Sequence, residues 1–223
     1  MDAVEHGESF IVTRDGYRIG ELIPLRQRRR FVSRQEFAAM SRNAPAIDLE
    51  AYRADQDAAL QHGRTARMSG ERPGQGLFDP NILILRAWID PAELPGEMAI
   101  SAITLAELSA GPHEVRPNDE QDSYDELTER ARRLEILQRA ESEFDPVPFD
   151  AEAARIFGRM TAAAVAADRK PRRRIADLMI AATAVAAGLP LFTANPGGFA
   201  GLEALLRLVP VTRPSVPHDG PAR

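Results

Sequence analysis

From Leu77 onward, short apolar runs alternate with stretches of helical period, and this alternation restricts the fold more than any other feature of the chain. Leu77-Phe78, Met98 to Ser101, Leu189 to Thr193 and Leu208 to Val211 are too short for buried helices and read as strands. Helical spacing runs through Pro80 to Ile89, Thr104 to Ala110, the series Tyr124, Leu127, Ala131, Leu134 and Leu137, the segment holding Ile156, Phe157 and Met160, and Ile175 to Ala187, with Gly188 as C-cap. An extended piece, Pro146 to Phe149, separates two of the helices. Strands alternating with helices predict an α/β domain with a mainly parallel sheet over residues 77–213, whose ligand site lies at the carboxyl ends of the strands.

At 223 residues the chain has room for this domain and one small module. Residues 61–76, with four Gly, one Pro and no apolar period, read as a linker between the two, and residues 214–223 as a flexible tail. Upstream, residues 9–25 read as a β-hairpin whose turn is Asp15-Gly16, a pair suited to type I′ geometry. Ser33 and Glu36 have the S-x-x-E spacing of a capping box, which opens a helix over about 33–41. A second helix is expected over about 48–60. Phe31, Phe37, Met40, Leu49 and Tyr52 have no core of their own, so residues 31–60 should pack as helices on the following domain.

Charge and composition remove several classes of function. There is no cysteine, hence no disulfide framework, thiolate zinc site or cysteine nucleophile, and any metal must be held by oxygen or imidazole. No run of eighteen apolar residues occurs, and the opening MDAVEHGESF carries three acids, so no membrane partner and a cytoplasmic location are expected. Residues 71–223 carry 17 basic and 23 acidic side chains, which argues against nonspecific coating of nucleic acid, although the clusters Arg26 to Arg30 and Arg169 to Arg174 suit phosphate. His6, His62, His113 and His218 lie in polar stretches, and no G-x-S-x-G elbow accompanies them.

Three acids stand at junctions of apolar elements. Asp79 follows Leu77-Phe78 and precedes Pro80, where it suits a helix N-cap with proline at the first helical position. Glu107 ends a T-x-x-E pattern that begins at Thr104, a capping box in its own right. Asp177 lies in the first turn of an Ala-rich apolar helix, where a carboxylate complements the helix dipole. Each has this local explanation when taken alone. Taken together, all three belong to one α/β domain whose sheet can bring them to a common edge, and like charges crowded there call for a hard divalent cation, Mg²⁺ or Mn²⁺. Cation-activated attack of water on a phosphodiester is the natural chemistry of such a site. Spacing alone leaves open a phosphatase or a response-regulator-like acid pocket, although a phosphatase needs a second Asp two residues after Asp79, where Asn81 stands.

Four segments carry a resemblance: Leu77-Phe78-Asp79-Pro80-Asn81-Ile82-Leu83-Ile84, Ile100 to Leu108, Ala176-Asp177-Leu178-Met179-Ile180, and Leu191-Phe192-Thr193-Ala194-Asn195-Pro196. In order and spacing they resemble the PIN-domain toxin of VapBC toxin–antitoxin pairs, over about residues 77–213. The resemblance implies a three-layer PIN-like fold and a Mg²⁺-dependent (or Mn²⁺-dependent) endoribonuclease with Asp79, Glu107 and Asp177 as its acidic, metal-holding residues and RNA as substrate. Residues 1–60, with hairpin, Arg cluster and Ser33 helix, resemble the antitoxin of such pairs, which implies a toxin held inhibited by an antitoxin segment, in cis or in trans, and a homo-oligomer. Arg42, Arg53, Arg64 and Arg67 are candidates to face the acids. Operator DNA is a further implied partner, set against a hairpin that lacks the strand and helix that normally precede it. Two departures stand out. Pro80 replaces a small hydroxyl residue, and Gly197-Gly198 replace an acid expected two or three residues after Asn195. The full chain is therefore expected to cleave RNA poorly, with only a modest gain on removing residues 1–67. The alternative is a catalytically dead interaction or DNA-binding module.

Overall fold

A computed structural model describes residues 10–14, 17–22, 30–47, 73–115, 123–166 and 175–214. Strands β1 (Phe10–Arg14) and β2 (Tyr17–Leu22) pair antiparallel as a separate two-stranded sheet, with an irregularity between Val12 and Thr13. The Asp15-Gly16 turn lies outside the described residues, as do the helix expected over 48–60, Arg26 to Arg29, Arg53, Arg64, Arg67, and Arg169 to Arg174.

The main sheet has five strands. They are β3 (Val32–Ser33), β4 (Gln75–Phe78), β5 (Glu97–Ile100), β6 (Leu191–Thr193) and β7 (Leu208–Pro210), ordered β3-β5-β4-β6-β7. All pairs are parallel except β3 with β5. Six α-helices accompany them among the described residues, α1 (Arg34–Ser41), α2 (Pro80–Ile84), α3 (Ala102–Glu114), α4 (Ser123–Glu143), α5 (Ala151–Ala166) and α6 (Ile175–Ala186), together with short 3-10 turns at Pro91–Glu93 and Pro196–Phe199.

The period of two along the strands separates two cores. Phe78, Met98, Ile100 and Phe192 share one cluster with Phe37, Ile82, Leu83, Ile136 and Phe144, whereas Leu77, Ala99 and Leu191 share another with Ile156, Met160, Leu178, Ala181 and Phe199. Helices thus cover both faces of a sheet whose central strands are buried on each side, the three-layer α/β arrangement expected of the sequence. Gly188 ends α6 with φ of +65°, and the Leu189 N–H returns to the Ala184 carbonyl at 2.9 Å, the left-handed C-cap anticipated there.

The helix expected over Pro80 to Ile89 stops at Ile84, and the chain continues as turns. Residues 75 and 76, grouped with the linker in the sequence, form the first half of β4. Gly76 is required there because an added Cβ would stand 2.3 Å from the Phe192 ring. Among the described residues no helix is long and apolar enough to cross a membrane.

Residues 30–47 belong to the same packed unit. Ser33 and Glu36 form the full capping box that opens α1, with Ser33 Oγ accepting from the Glu36 N–H at 3.3 Å. β3 adds an antiparallel edge to β5, while Val32, Phe37 and Ile47 are buried in the first core. Beneath α1 lies Arg86, whose guanidinium sits 4.4 Å from the centre of the Phe37 ring and 2.8 Å from Glu143, with both side chains buried. Arg86 Nε donates to Ser41 Oγ at 3.1 Å. Burial lowers the Arg86 pKa, and the Glu143 carboxylate works against that shift. At the end of α1, Arg139 donates to the carbonyls of Met40 at 3.2 Å and Asn43 at 2.8 Å. Arg30 meets Asp145 at 3.6 Å as an exposed surface pair.

Candidate active site

The pairing register builds one edge of the site. Phe78 is level with Ile100 on β5 and with Phe192 on β6, so Asp79, Ser101 and Thr193 follow at the carboxyl ends of three adjacent parallel strands. Two buried bonds hold the backbone there. The Asp79 N–H donates to the Phe192 carbonyl at 3.0 Å, and Thr104 Oγ1 donates to the Phe78 carbonyl at 3.2 Å.

Asp79 occupies the N-cap position of α2 with Pro80 at the first helical position, yet its side chain makes no cap hydrogen bond. Its Oδ2 instead accepts from Asn81 Nδ2 at 2.5 Å and from Thr193 Oγ1 at 2.5 Å. This carboxylate is turned across the sheet toward β6 and is buried, with 6% of its surface exposed. The local helix-capping explanation therefore does not account for the acid.

Glu107 is not a capping residue either. Ser101 caps α3, accepting from the Thr104 N–H at 2.9 Å, so Thr104 lies inside the helix and Glu107 one turn further on. The T-x-x-E spacing was one turn late because the strand end at Ile100 hands the cap to Ser101. Glu107 is half-buried, and its pKa is pushed up to about 9, first by burial, then by Asp177, then by Asp79, with a smaller effect from Glu114. Two of the three sequence candidates thus act electrostatically on the third.

Asp177 stands in the first turn of α6 and is half-buried. Opposite it, a Cβ built on Gly198 would lie 3.5 Å from Asp177 Oδ2 and 3.3 Å from Asn195 Nδ2. Gly198, one of the two positions where the resemblance leads to the expectation of an acid, therefore borders Asp177.

Among the described residues, no three His, Cys, Asp or Glu side chains stand in an arrangement ready to hold a metal ion. Asp79, Glu107 and Asp177 nonetheless match a hard cation in the chemistry of their donors, since all are carboxylates and Glu107 bears the cost of their crowding. Arg42, expected as a candidate to face the acids, is exposed at the end of α1, beside Arg86 and Phe37 along a shallow cleft. Sequence reasoning assigned no role to Thr193 or to the Asn81 amide in holding Asp79. The D-x-N spacing of Asp79 and Asn81 was a signal, but the threonine lies 114 positions from the acid it touches.

The PIN domain family model matches residues 79–203. Ribonuclease VapC5 of Mycobacterium tuberculosis is 31% identical over 134 residues, a stretch covering 59% of this chain and 90% of that protein. Among solved structures, a VapBC family toxin–antitoxin member, VapBC-5 of Mycobacterium tuberculosis, is 30% identical, with a TM-score of 0.49 over 61% of this chain and 96% of that chain. VapBC2 of Rickettsia felis bound to a promoter DNA fragment is 19% identical, with a TM-score of 0.41 over 60% of this chain and 96% of that one. On the family match, and on its identity to VapC5 over nearly all of that protein, the chain belongs to the PIN domain family.

Proposed function

We propose that this protein is a divalent-cation-dependent endoribonuclease of the VapC toxin kind, held in check by the antitoxin-like segment at its own N-terminus. The observation that carries the reading is that Asp79, at the carboxyl end of a parallel strand, and Asp177, in the first turn of α6, both lie near enough to Glu107 to raise its pKa. Identity to a ribonuclease supports it. Asp79 and Asp177 would hold Mg²⁺ or Mn²⁺, with Glu107 directly or through water, and the bound cation would neutralise the crowded acids and activate water toward a phosphodiester. The chain's own part is to fix Asp79 through Asn81 and Thr193, to keep Glu107 in a poorly solvated place, and to present Asp177 from the first turn of α6.

Packing of Phe37 on Phe78, the residue before Asp79, and pairing of β3 with β5 support regulation by contacts within one chain. A segment tethered in this way sits at high effective concentration, so its contacts need little intrinsic affinity. Operator DNA bound through the N-terminal part, and association of copies of the chain, belong to the same proposal. One feature favours a second reading, a PIN-fold interaction module without turnover: glycine borders Asp177 where a further acid would strengthen cation binding.

Calorimetric titration of Mg²⁺ or Mn²⁺ into the full chain and into Asp79→Asn tests the site. Binding that disappears in Asp79→Asn supports the nuclease reading. Equal heats from both proteins contradict it.

A further inference from the structure

We infer that Thr193 is a positioning residue of the acidic site, whose hydroxyl proton sets the orientation of the Asp79 carboxylate for cation capture. The inference rests on the cation-site reading of the acids and deepens it.

Valence assigns each proton in the network. Asn81 Oδ1 accepts from the Ala194 N–H at 2.9 Å, which fixes the amide and turns Nδ2 toward Asp79 Oδ2 and Thr193 Oγ1. The Thr193 oxygen then accepts twice, from Asn81 Nδ2 at 3.0 Å and from the Asn195 N–H at 2.9 Å. A hydroxyl has two acceptor positions and one proton, so with both positions used the proton goes to Asp79 Oδ2. Thr193 is fully buried and Asn81 is 8% exposed, so bulk water does not take over either bond. Oδ2 is committed to two protein donors and the plane of the carboxylate is set before any cation arrives.

The bond also spans the sheet. It ties the residue after β4 to the last residue of β6, and the same threonine holds the backbone of Asn195, which borders Gly198 beside Asp177. Outer contacts of this type change metal affinity by about 10- to 100-fold when removed, because the ligand must then be ordered at the expense of binding.

The test is calorimetric titration of Mn²⁺ into the full chain, wild type, Asp79→Asn, Thr193→Val and Thr193→Ser, each first shown by circular dichroism to be folded at the temperature used. Thr193→Val keeps the shape and removes the proton; if it does not fold, Thr193→Cys keeps the shape with a poor donor and replaces it. The expected result is binding weakened ~10-fold or more in the Val or Cys variant, with Thr193→Ser within ~3-fold of wild type. Undiminished binding without the hydroxyl overturns the inference while the cation-site reading stands, provided Asp79→Asn abolishes binding. Thr193→Ser as weak as Thr193→Val also overturns it, since packing and not the hydroxyl would then be responsible. Wild type that takes up no Mn²⁺, or Asp79→Asn that binds as wild type does, overturns the cation-site reading itself and this inference with it.

Discussion

Phe37 sets its ring edge-on against Phe78, with centroids 5.5 Å apart and an interplanar angle of 76°. Phe78 is the residue immediately before Asp79, so a side chain from the N-terminal part of the sequence packs directly on the strand that leads into an acid. Residues 30–47 therefore form a piece of the core of the α/β domain.

Truncating this ring should be costly. Phe37→Ala is expected to lower stability by about 3–5 kcal/mol, through lost burial and the cavity left over Phe78 and Arg86. Urea denaturation of the full chain measures it. Removal of residues 1–67 also strips Val32, Phe37 and Ile47 from the core, so it should lower the denaturation midpoint strongly, whereas a cut that ends at residue 29 should change it little. Equal midpoints for the two truncations would show that the packing of 30–47 contributes nothing. The gain in cleavage expected from the sequence on removing residues 1–67 is then best sought in the shorter cut.

The buried pair of Arg86 and Glu143 yields a second prediction. Arg86→Met alone or Glu143→Leu alone leaves one charge buried without its partner, at a cost of about 3–5 kcal/mol. The double variant should recover much of that loss. A double-mutant cycle by chemical denaturation reads the coupling, and strictly additive losses would contradict a direct interaction.

Glu107 makes stability depend on pH. Its pKa of about 9 in the cation-free folded chain lies above the ordinary 4.5, so between these values the folded state holds a proton that the unfolded state has released. This favourable contribution is complete below about 4.5 and is lost as the pH rises toward about 9. In chelator, the melting temperature of the wild type should accordingly fall more steeply across this window than that of Glu107→Gln. Parallel curves for the two proteins would contradict the burial and the crowding together.

Gly198→Asp should change sign with cation. Position 198 has an ordinary backbone conformation, and its Cβ would stand against Asp177 Oδ2, so a new carboxylate there is repelled in chelator and stabilised by a shared divalent ion. The expected outcome is a melting temperature below wild type without cation and a larger rise than wild type on adding Mg²⁺. Equal rises in both proteins would place residue 198 outside the site.

Much of this was legible because local physics carried it. The alternation from Leu77 onward gave the layers, Ser33 with Glu36 gave the start of α1, and Gly188 gave the end of α6, each through contacts within a few residues. The acids were visible for a similar reason, since a carboxylate at a strand-to-helix junction is conspicuous in an apolar sequence. Less legible were features joined across long separations. Thr193 meets Asp79 and Arg86 meets Glu143 only after the sheet has formed, and β3 is two residues long with no alternation to announce it. The cap of α3 is obscured in the sequence because Thr104 and Glu107 imitate a capping box one turn inside a helix that Ser101 already caps.

The central claim is that Asp79, Glu107 and Asp177 form a cation-dependent ribonuclease site. The most direct measurement is cleavage of RNA by the full chain in Mg²⁺, in chelator, and with Asp177→Asn in Mg²⁺. Slow cleavage that stops in chelator, is lost in a folded Asp177→Asn and increases in Gly198→Asp is the predicted result. Cleavage that persists in chelator or in Asp177→Asn, or none from either wild type or Gly198→Asp, would contradict it.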